Sequence, residues 1–425
     1  MKPPSTSGSP RAAVPLLLLC LAVLAAAGCG GGATGSGGNG VTVWMYPVIM
    51  DPKANAAYWD GVEKGFERAH PGTDLRIEQQ PWANRDQKLA TALGGGKGPD
   101  VVLLAPDQIP QYQANGVLRP VDRALGKARA AFRPTALAAM TQDGELYAAP
   151  IYHTVTSTLY NRRLLAKAGI KEPPATWAAL KAAAPKLKRA GVATLDYSAS
   201  GEASLNMSFY PLLWQAGGRV FDGSGKKTAF SGREGVEALT FLVRLYREGA
   251  VPRSALTNAN LFTDQALGRQ QVAMGYTNTP ADAALAAQAW GKGNVIVGPA
   301  LAGPRKRVGF GMPGGLGINA ASRNTAGAEK FVAYMAAPAQ IASLGRAGGF
   351  FSPRTDVTVP GTGAHAKEYE AALAYAFPGE PHRAARQVQA LLAPEIQAAL
   401  TGEKSPREAL AAAAEAGDAL LARQR

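Results

Sequence analysis

Short apolar runs and amphipathic segments alternate along residues 41–105. Apolar, β-prone runs at 41–46, 75–80 and 100–105 predict three strands, and apolar positions at helical spacing predict helices over 53–70 and 86–93. This alternation is typical of a parallel sheet covered by helices. Ligands on such sheets bind beyond the carboxyl ends of the strands. Those ends are followed here by Tyr46, Trp82 and Asp107.

The longest β-prone run covers residues 143–161 and is dominated by Tyr, Ile, Val and Thr. No turn signal interrupts it between Pro150 and Asn161. Strands usually have five or six residues. We therefore predict that this run leaves one sheet and enters another, as the first crossover between two lobes.

The same alternation returns after the crossover, so the second lobe is also predicted to be α/β. Helices are expected at 162–168, 176–189, 204–216 and 232–248, and strands at 192–197, 272–276 and 294–297. Residues 308–312 and 317–319 predict two further strands, 326–336 a helix, and 350–354 an extended connection. An alanine-rich helical region ends the chain, where Ser405 and Glu408 form a capping-box pattern around Pro406.

The N-terminus has the form of a secretory signal. Lys2 and Arg11 precede an apolar run at 14–27 that is too short to span a membrane comfortably. We predict a signal peptide at 1–28. The junction at Gly28-Cys29 resembles the lipobox of bacterial lipoproteins, in which the cysteine is lipidated, although Ala26 stands where that motif most often has leucine. An ordinary secreted protein is the alternative.

The prediction of a lipid anchor agrees with the composition that follows. Cleavage would remove Cys20 and leave Cys29 as the sole cysteine, so no disulfide is expected. Residues 29–40 would be the lipidated cysteine and a Gly-rich flexible tether, with a mean reach of roughly 20 Å. The expected location is therefore extracytoplasmic, on the outer face of the cell membrane.

The chain is strongly basic, with a formal charge of +14, or +12 without Lys2 and Arg11. Such an excess indicates that the protein binds an anionic surface or an anionic ligand, or that the charge has no specific binding role. No run of five basic residues occurs, and the densest is Arg305-Lys306-Arg307. We therefore expect no nucleic-acid partner.

Ten short segments recur in a fixed order from about residue 41 to 420. They lie at 66–72, 97–103, 115–120, 144–150, 159–161, 173–177, 215–218, 272–274, 317–322 and 402–410. Together they resemble the family 1 extracellular solute-binding proteins, the maltose-binding-protein-like sugar receptors of ABC importers. Each segment is weak alone, whereas the ordered set is specific.

This resemblance implies a two-lobe, type II periplasmic-binding-protein fold with a three-segment hinge near 150–154, 300–308 and 346–353. The N-terminal lobe would comprise 41–150 and 308–346, and the C-terminal lobe 151–307 and 347–425. It also implies a carbohydrate ligand, delivery to the transmembrane subunits of an ABC permease, and a monomer.

Sugar recognition needs aromatic faces for the ring C–H groups and fixed polar groups for the hydroxyls. Tyr46 and Trp82 are predicted platforms, and Asp107, which matches an acidic cleft residue of the maltose-binding relatives, is the predicted acceptor for two hydroxyls. The complete predicted ligand-binding set is Tyr46, Trp82, Asp107, Tyr152, Thr154, Asn206, Tyr276, Asn278, Gly314 and Phe350.

Some of these residues have ordinary structural interpretations. Tyr46, Trp82 and Tyr276 could be core residues, and Asp107 could cap a helix. Many relatives have Trp after the strand that matches 272–274, whereas this chain has Tyr276 followed by Thr277. This departure leaves the identity of the ligand open.

The enzyme motifs fail in their details. Residues 309–314 match GxGxxG by letter but run into another predicted strand rather than a helix, and Lys97 lacks the Ser or Thr of a P-loop. The four histidines are scattered, so we expect no metal, cofactor or catalytic site. Two alternatives to a sugar receptor stay open: a receptor for glycerol phosphate or another anionic polyol, and a secreted carbohydrate-active enzyme.

Overall fold

The computed structural model describes residues 40–200, 204–257, 262–359 and 365–424. The predicted signal peptide, Cys29 and all but the last residue of the tether lie outside these ranges. Thirteen strands occur in the described residues: β1 Val41–Met45, β2 Leu75–Gln79, β3 Val101–Leu104, β4 Leu118–Arg119, β5 Thr141–Gln142, β6 Glu145–Leu146, β7 Ala149–Val155, β8 Ser157–Asn161, β9 Ala193–Leu195, β10 Val272–Asn278, β11 Val295–Gly298, β12 Gly309–Asn319 and β13 Ala376–Phe377.

Fifteen α-helices accompany the strands in the same ranges: α1 Pro52–Ala69, α2 Arg85–Gly94, α3 Ile109–Ala114, α4 Asp122–Leu125, α5 Pro134–Met140, α6 Arg162–Lys167, α7 Trp177–Arg189, α8 Phe209–Gln215, α9 Arg233–Arg247, α10 Pro280–Trp290, α11 Thr325–Met335, α12 Pro338–Gly348, α13 Ala366–Ala372, α14 Ala385–Thr401 and α15 Pro406–Arg423. Within the described part of the chain, no helix combines the length and apolar character needed to cross a membrane.

The first sheet contains the three strands predicted from the N-terminal alternation. β1 lies between β2 and β3 and pairs in parallel with both, as expected. The order continues from β3 to β12 and β13, while β4 and β7 also pair with β12. All four residues of β3 are buried, which is typical of a strand covered on both faces. The carboxyl ends of β1, β2 and β3 therefore lie at one edge.

The second sheet has the order β11-β8-β10-β9 and belongs to the second lobe. Its largest hydrophobic cluster includes Trp177 of α7 and Phe241 of α9, whose rings stack with centroids 4.0 Å apart. Thr176 caps α7 by accepting a hydrogen bond from the Ala179 amide, as predicted. Each sheet thus has helices and a core of its own.

The chain changes sheets at Thr156, between β7 and β8. The Thr156 amide and hydroxyl both donate to the Phe310 carbonyl, each at 2.8 Å, and this turns the chain out of the first sheet. As predicted, the run leaves one sheet and enters another, and it does so as two strands, β7 and β8. The chain returns to the first sheet between Gly298 and Gly309.

The third passage between the lobes follows α12. Val359 still packs on the first lobe's core, whereas Tyr369 is buried in a different cluster with β8 and β10 residues. The predicted lobe boundaries at 150, 307 and 346 stay predictions. For comparison, the chain passes between the two sheets at Thr156 and again between Gly298 and Gly309, and between two cores after Val359 and before Tyr369.

Two features of the sequence prediction are wrong. The strands expected at 308–312 and 317–319 form one strand, β12, because Pro313, Gly314 and Gly315 are paired with β7 instead of forming a turn. Helices α3, α4, α5, α10 and α12 were not predicted. Alanine-rich α10 lacks a clear division into polar and apolar faces, so helical periodicity does not reveal it.

Candidate ligand cleft between the two lobes

An aromatic pair lies at the carboxyl ends of β1 and β2. The Tyr46 and Trp82 rings stack with centroids 4.9 Å apart and planes inclined by 24°. Trp82 donates from Nε1 to the Pro47 carbonyl at 3.3 Å, and its side chain is 45% exposed. Tyr46 is buried. Tyr46 thus supports Trp82, which leaves aromatic surface open to a ligand.

Asp107 lies just beyond β3 and is the point where the two lobes meet. Its Oδ2 accepts a hydrogen bond from Asn206 Nδ2 at 3.0 Å, and its Oδ1 accepts one from Arg386 at 2.9 Å. Asn206 lies in the short turn Leu205–Met207, and Arg386 is in the first turn of α14. Asp107 does not cap a helix here. Neither the short 3-10 turn Pro106–Gln108 nor the helix α3 that follows it has a hydrogen bond to the side chain of its N-cap residue.

A network of alternating charges surrounds Asp107. Arg386 also approaches Asp86 at 3.4 Å, and Gln108 donates to Asp86 at 2.6 Å. Arg85 donates to Gln108 at 2.8 Å, and its guanidinium lies 4.4 Å from the Tyr46 ring centroid. Burial lowers the pKa of Arg386, but Asp107 and Asp86 outweigh that effect, so the pKa is raised. Two arginines and two aspartates therefore balance their charges at the cleft.

Tyr152, Gly314 and Phe350 come together at the first crossover. The Tyr152 and Phe350 rings stack with centroids 4.3 Å apart. A Cβ at Gly314 would lie 2.1 Å from the Tyr152 ring, so the glycine is needed to seat this ring. Burial raises the pKa of Tyr152 to about 12, and the nearby Arg85 partly offsets that effect. Thr154 is half-buried and pairs with Met312 of β12.

Tyr276 and Asn278 lie on β10 in the second lobe. Tyr276 is buried and donates its hydroxyl to the Ser208 carbonyl, and Thr277 donates to the Met207 carbonyl at 2.8 Å. The side chain of Asn278 folds back over Gly275, where a Cβ would lie 2.1 Å from Asn278 Oδ1. Tyr276 thus supports the turn that carries Asn206, and Asn206 in turn contacts Asp107 of the first lobe.

Four residues of this network were not among the predicted site residues. Arg85, Asp86 and Gln108 follow β2 and β3, at the strand ends where ligands were expected, so their positions could have identified them. Arg386 lies 279 residues from Asp107 along the chain. No local pattern relates a residue in an alanine-rich helix to a distant strand end, so only the fold reveals it.

Two α/β lobes that meet over a polar and aromatic cleft define a two-lobe binding protein. The family model for bacterial extracellular solute-binding proteins matches residues 51–342, which is more than half of the chain. The chain therefore belongs to that family, and the predicted family and type II fold are confirmed. The family consists of binding proteins rather than enzymes.

Individual relatives agree with this assignment. A binding protein of Brucella abortus is 30% identical over 192 residues, which is 45% of this chain. The match spans only 46% of that relative's length, about half of it. The diacetylchitobiose binding protein DasA of Streptomyces coelicolor is 32% identical over 142 residues, 33% of this chain and 32% of DasA.

A solved structure covers far more of the chain. The GacH receptor of Streptomyces glaucescens, determined without ligand and in complex with acarbose, superposes with a TM-score of 0.78 at 26% identity. The superposition covers 90% of this chain and 98% of GacH. The likeness therefore includes both lobes.

Proposed function

We propose that this chain is the lipid-anchored, extracytoplasmic receptor of an ABC importer and binds a mono- or oligosaccharide in the interlobe cleft. The observation that carries the proposal is the exposed Trp82 ring, backed by Tyr46, at the same end of the sheet as the buried carboxylate of Asp107. An aromatic face covers the C–H patch of a sugar ring, and a carboxylate accepts hydrogen bonds from adjacent hydroxyls. The relatives named for diacetylchitobiose and acarbose support this ligand class.

Closure follows from the same contacts. Asn206 and Arg386 of the second lobe reach Asp107 of the first lobe only when the lobes are together. A ligand held between the lobes contacts both of them only in that state, so binding favours closure. The closed protein would then present both lobes to the two halves of a permease.

A neutral ligand suits the cleft better than an anionic one. Arg85 and Arg386 would attract a glycerol phosphate, but Asp86 and Asp107 already balance their charges. A phosphate would have to displace one of these carboxylates or lie beside it, where like charges repel. The anionic polyol receptor is therefore the second candidate.

The test is a thermal-shift and calorimetry screen of residues 38–425, which form one compact unit. We expect one neutral sugar to stabilise this protein by about 2.7 kcal/mol at a hundredfold excess over its dissociation constant. The same sugar should be recovered unchanged. Turnover of an oligosaccharide would instead establish the carbohydrate-active enzyme, and stabilisation by phosphorylated polyols alone would establish the second candidate.

Trp82→Ala should weaken binding of that sugar by about tenfold or more, because the stacking surface is lost. The matched control is Tyr375→Ala, which removes another exposed aromatic ring (39% exposed, against 45% for Trp82) from the second lobe. Equal affinities for both variants and the parent would remove Trp82 from the site. The anchor has a separate test: Cys29→Ala should abolish fatty-acid labelling of the protein in its cell.

A further inference from the structure

The positive charge of the chain is concentrated in one part of the second lobe. Residues 157–307 contain 20 Lys and Arg against nine Asp and Glu, a net charge of +11. Residues 41–156 contain 12 of each and are neutral. Most of the overall excess of +14 therefore lies in the second lobe. The strand pairing of the second sheet shows where in that lobe the cations lie.

Five stretches of chain meet at one end of the second sheet. β8 is antiparallel to β10 and β11, so its last residue, Asn161, lies beside the first residues of those strands. β9 is parallel to β10 and begins at the same end. The stretch after α9 joins them, since the Ala250 carbonyl accepts from the amides of β9. This end carries seven exposed cations, which we call the basic pole: Arg162, Arg163, Lys188, Arg189, Arg247, Arg269 and Lys292.

The basic pole has almost no opposing charge. Its five stretches (161–163, 188–193, 247–250, 269–272 and 291–295) contain one carboxylate, Glu248, which pairs with Arg244 at 2.7 Å. In the ranges that the structure describes, none of the seven cations is ion-paired with a carboxylate. By contrast, Lys64, Arg76, Arg123 and Arg129 of the first lobe each pair with a carboxylate. The five stretches thus carry positive charge that no ion pair compensates in the described ranges.

The chemistry of the pole favours a lipid surface over a protein partner. Protein interfaces have a buried core enriched in aromatic residues and Met. The large hydrophobic residues that are exposed in the described chain are Met50, Trp82, Met207 and Tyr375, and all four lie outside the five stretches. Exposed cations spread over one end of the sheet without an apolar anchor are suited to a flat array of anionic headgroups.

We infer that the basic pole docks on the anionic phospholipid surface of the membrane. The opposite end of the same strands, about one strand length (roughly 16 Å) away, faces the first lobe and the cleft. A receptor held by its pole therefore directs the cleft away from the lipid and toward incoming solute. The residues of the pole are separate from those of the proposed sugar site.

The experiment is co-sedimentation of residues 38–425 with vesicles. This unit lacks Cys29, so any binding is independent of the predicted lipid anchor. We expect binding to vesicles that contain phosphatidylglycerol, little binding to phosphatidylcholine vesicles, and release by salt because charge attraction is screened. Arg189→Gln, Arg269→Gln and Lys292→Gln together should weaken partitioning by about tenfold or more.

The matched control removes three exposed cations from the first lobe instead: Lys97→Gln, Lys127→Gln and Lys330→Gln. It lowers the net charge equally and should stay within about twofold of the parent. Equal losses in both variants would mean that net charge alone acts, and would overturn the pole. Absence of binding to phosphatidylglycerol vesicles would overturn it too, as would pole-dependent binding of DNA or polyglutamate without vesicle binding. The pole variant should keep its sugar affinity, so this inference and the proposed function can fail separately.

Discussion

At the scale of single residues, His153 shows how burial sets a titration. It lies on β7 beside the crossover, where its backbone exchanges hydrogen bonds of 2.8 and 2.9 Å with Phe351. Its Nδ1 lies 2.9 Å from the Thr154 carbonyl, so the neutral ring places its proton there. Burial lowers the pKa of His153 from 6.5 to about 4. The folded protein therefore holds this ring neutral where an unfolded chain would protonate it.

The expected consequence is a loss of stability in mild acid. Between pH 6.5 and 4 the unfolded chain binds a proton at His153 that the folded chain does not, so the free energy of unfolding rises with pH across this window. The effect is about 3 kcal/mol. The free energies of unfolding of the parent and of His153→Asn, measured with denaturant, should be compared as a function of pH. Their difference should change between pH 4 and 6.5 and be constant above pH 7. A flat difference curve from pH 4 to 7 contradicts this assignment.

At the scale of elements, the start of α15 was predicted from sequence and confirmed in detail. Ser405 Oγ accepts from the Glu408 amide at 3.3 Å, and Glu408 accepts from the Ser405 amide at 2.8 Å, with Pro406 at the first helical position. These bonds satisfy amides that the helix itself leaves unpaired. α15 packs on α14 and buries Leu410 and Leu421 in the second lobe's core.

Ser405→Ala should lower the free energy of unfolding by about 1 kcal/mol, because the cap is removed while the buried face of α15 is unchanged. Chemical denaturation with an unchanged slope measures this directly. Thr401→Ala is the control. Its hydroxyl lies within hydrogen-bond distance of the Gln397 and Ala398 carbonyls and of Glu403 Oε1 at the exposed end of α14, and such bonds add little to a helix. A larger loss at Thr401 than at Ser405 would contradict the role of the cap.

The elements also show what the sequence could reveal. β1, β2, β3 and α7 have local patterns (buried runs, caps, helical spacing) that agree with their final packing, so they were predicted. The sequence predicts two strands in place of β12, because Pro313, Gly314 and Gly315 are turn residues by local chemistry. Their place in a strand depends on Tyr152, which packs over Gly314 from β7. That contact is long-range, and no local pattern contains it.

The same distinction applies to the cleft. Trp82 and Asp107 follow strands that the pattern located, so they could be nominated from the sequence. Arg386 could not, since it is placed only by the docking of α14 beside the turn that follows β3. Whether the ten nominated residues bind ligand stays a prediction. Tyr152 and Gly314 are nominated independently of each other, and the fold places the Tyr152 ring over the glycine.

At the scale of the whole molecule, the ion pair between Arg386 and Asp107 joins the two lobes. The Asp107 side chain is 6% exposed and that of Arg386 is 16% exposed, so the pair is largely removed from water. Removing one partner of a buried pair leaves the other charge uncompensated, at a cost of about 3 kcal/mol or more. The protein can avoid that cost by separating the lobes, which returns Asp107 to water. The pair therefore favours the closed arrangement.

Arg386→Gln should consequently open the unliganded protein without unfolding either lobe. Small-angle X-ray scattering is expected to show a larger radius of gyration than for the parent, with the melting temperature nearly unchanged. The control is Arg383→Gln, an exposed position just before α14 whose side chain does not contact Asp107. An unchanged radius together with a clear fall in melting temperature would mean that Arg386 stabilises the fold rather than the closed state. A sugar that bridges the lobes should restore the compact form at sufficient concentration, because its contacts with both lobes replace the lost pair.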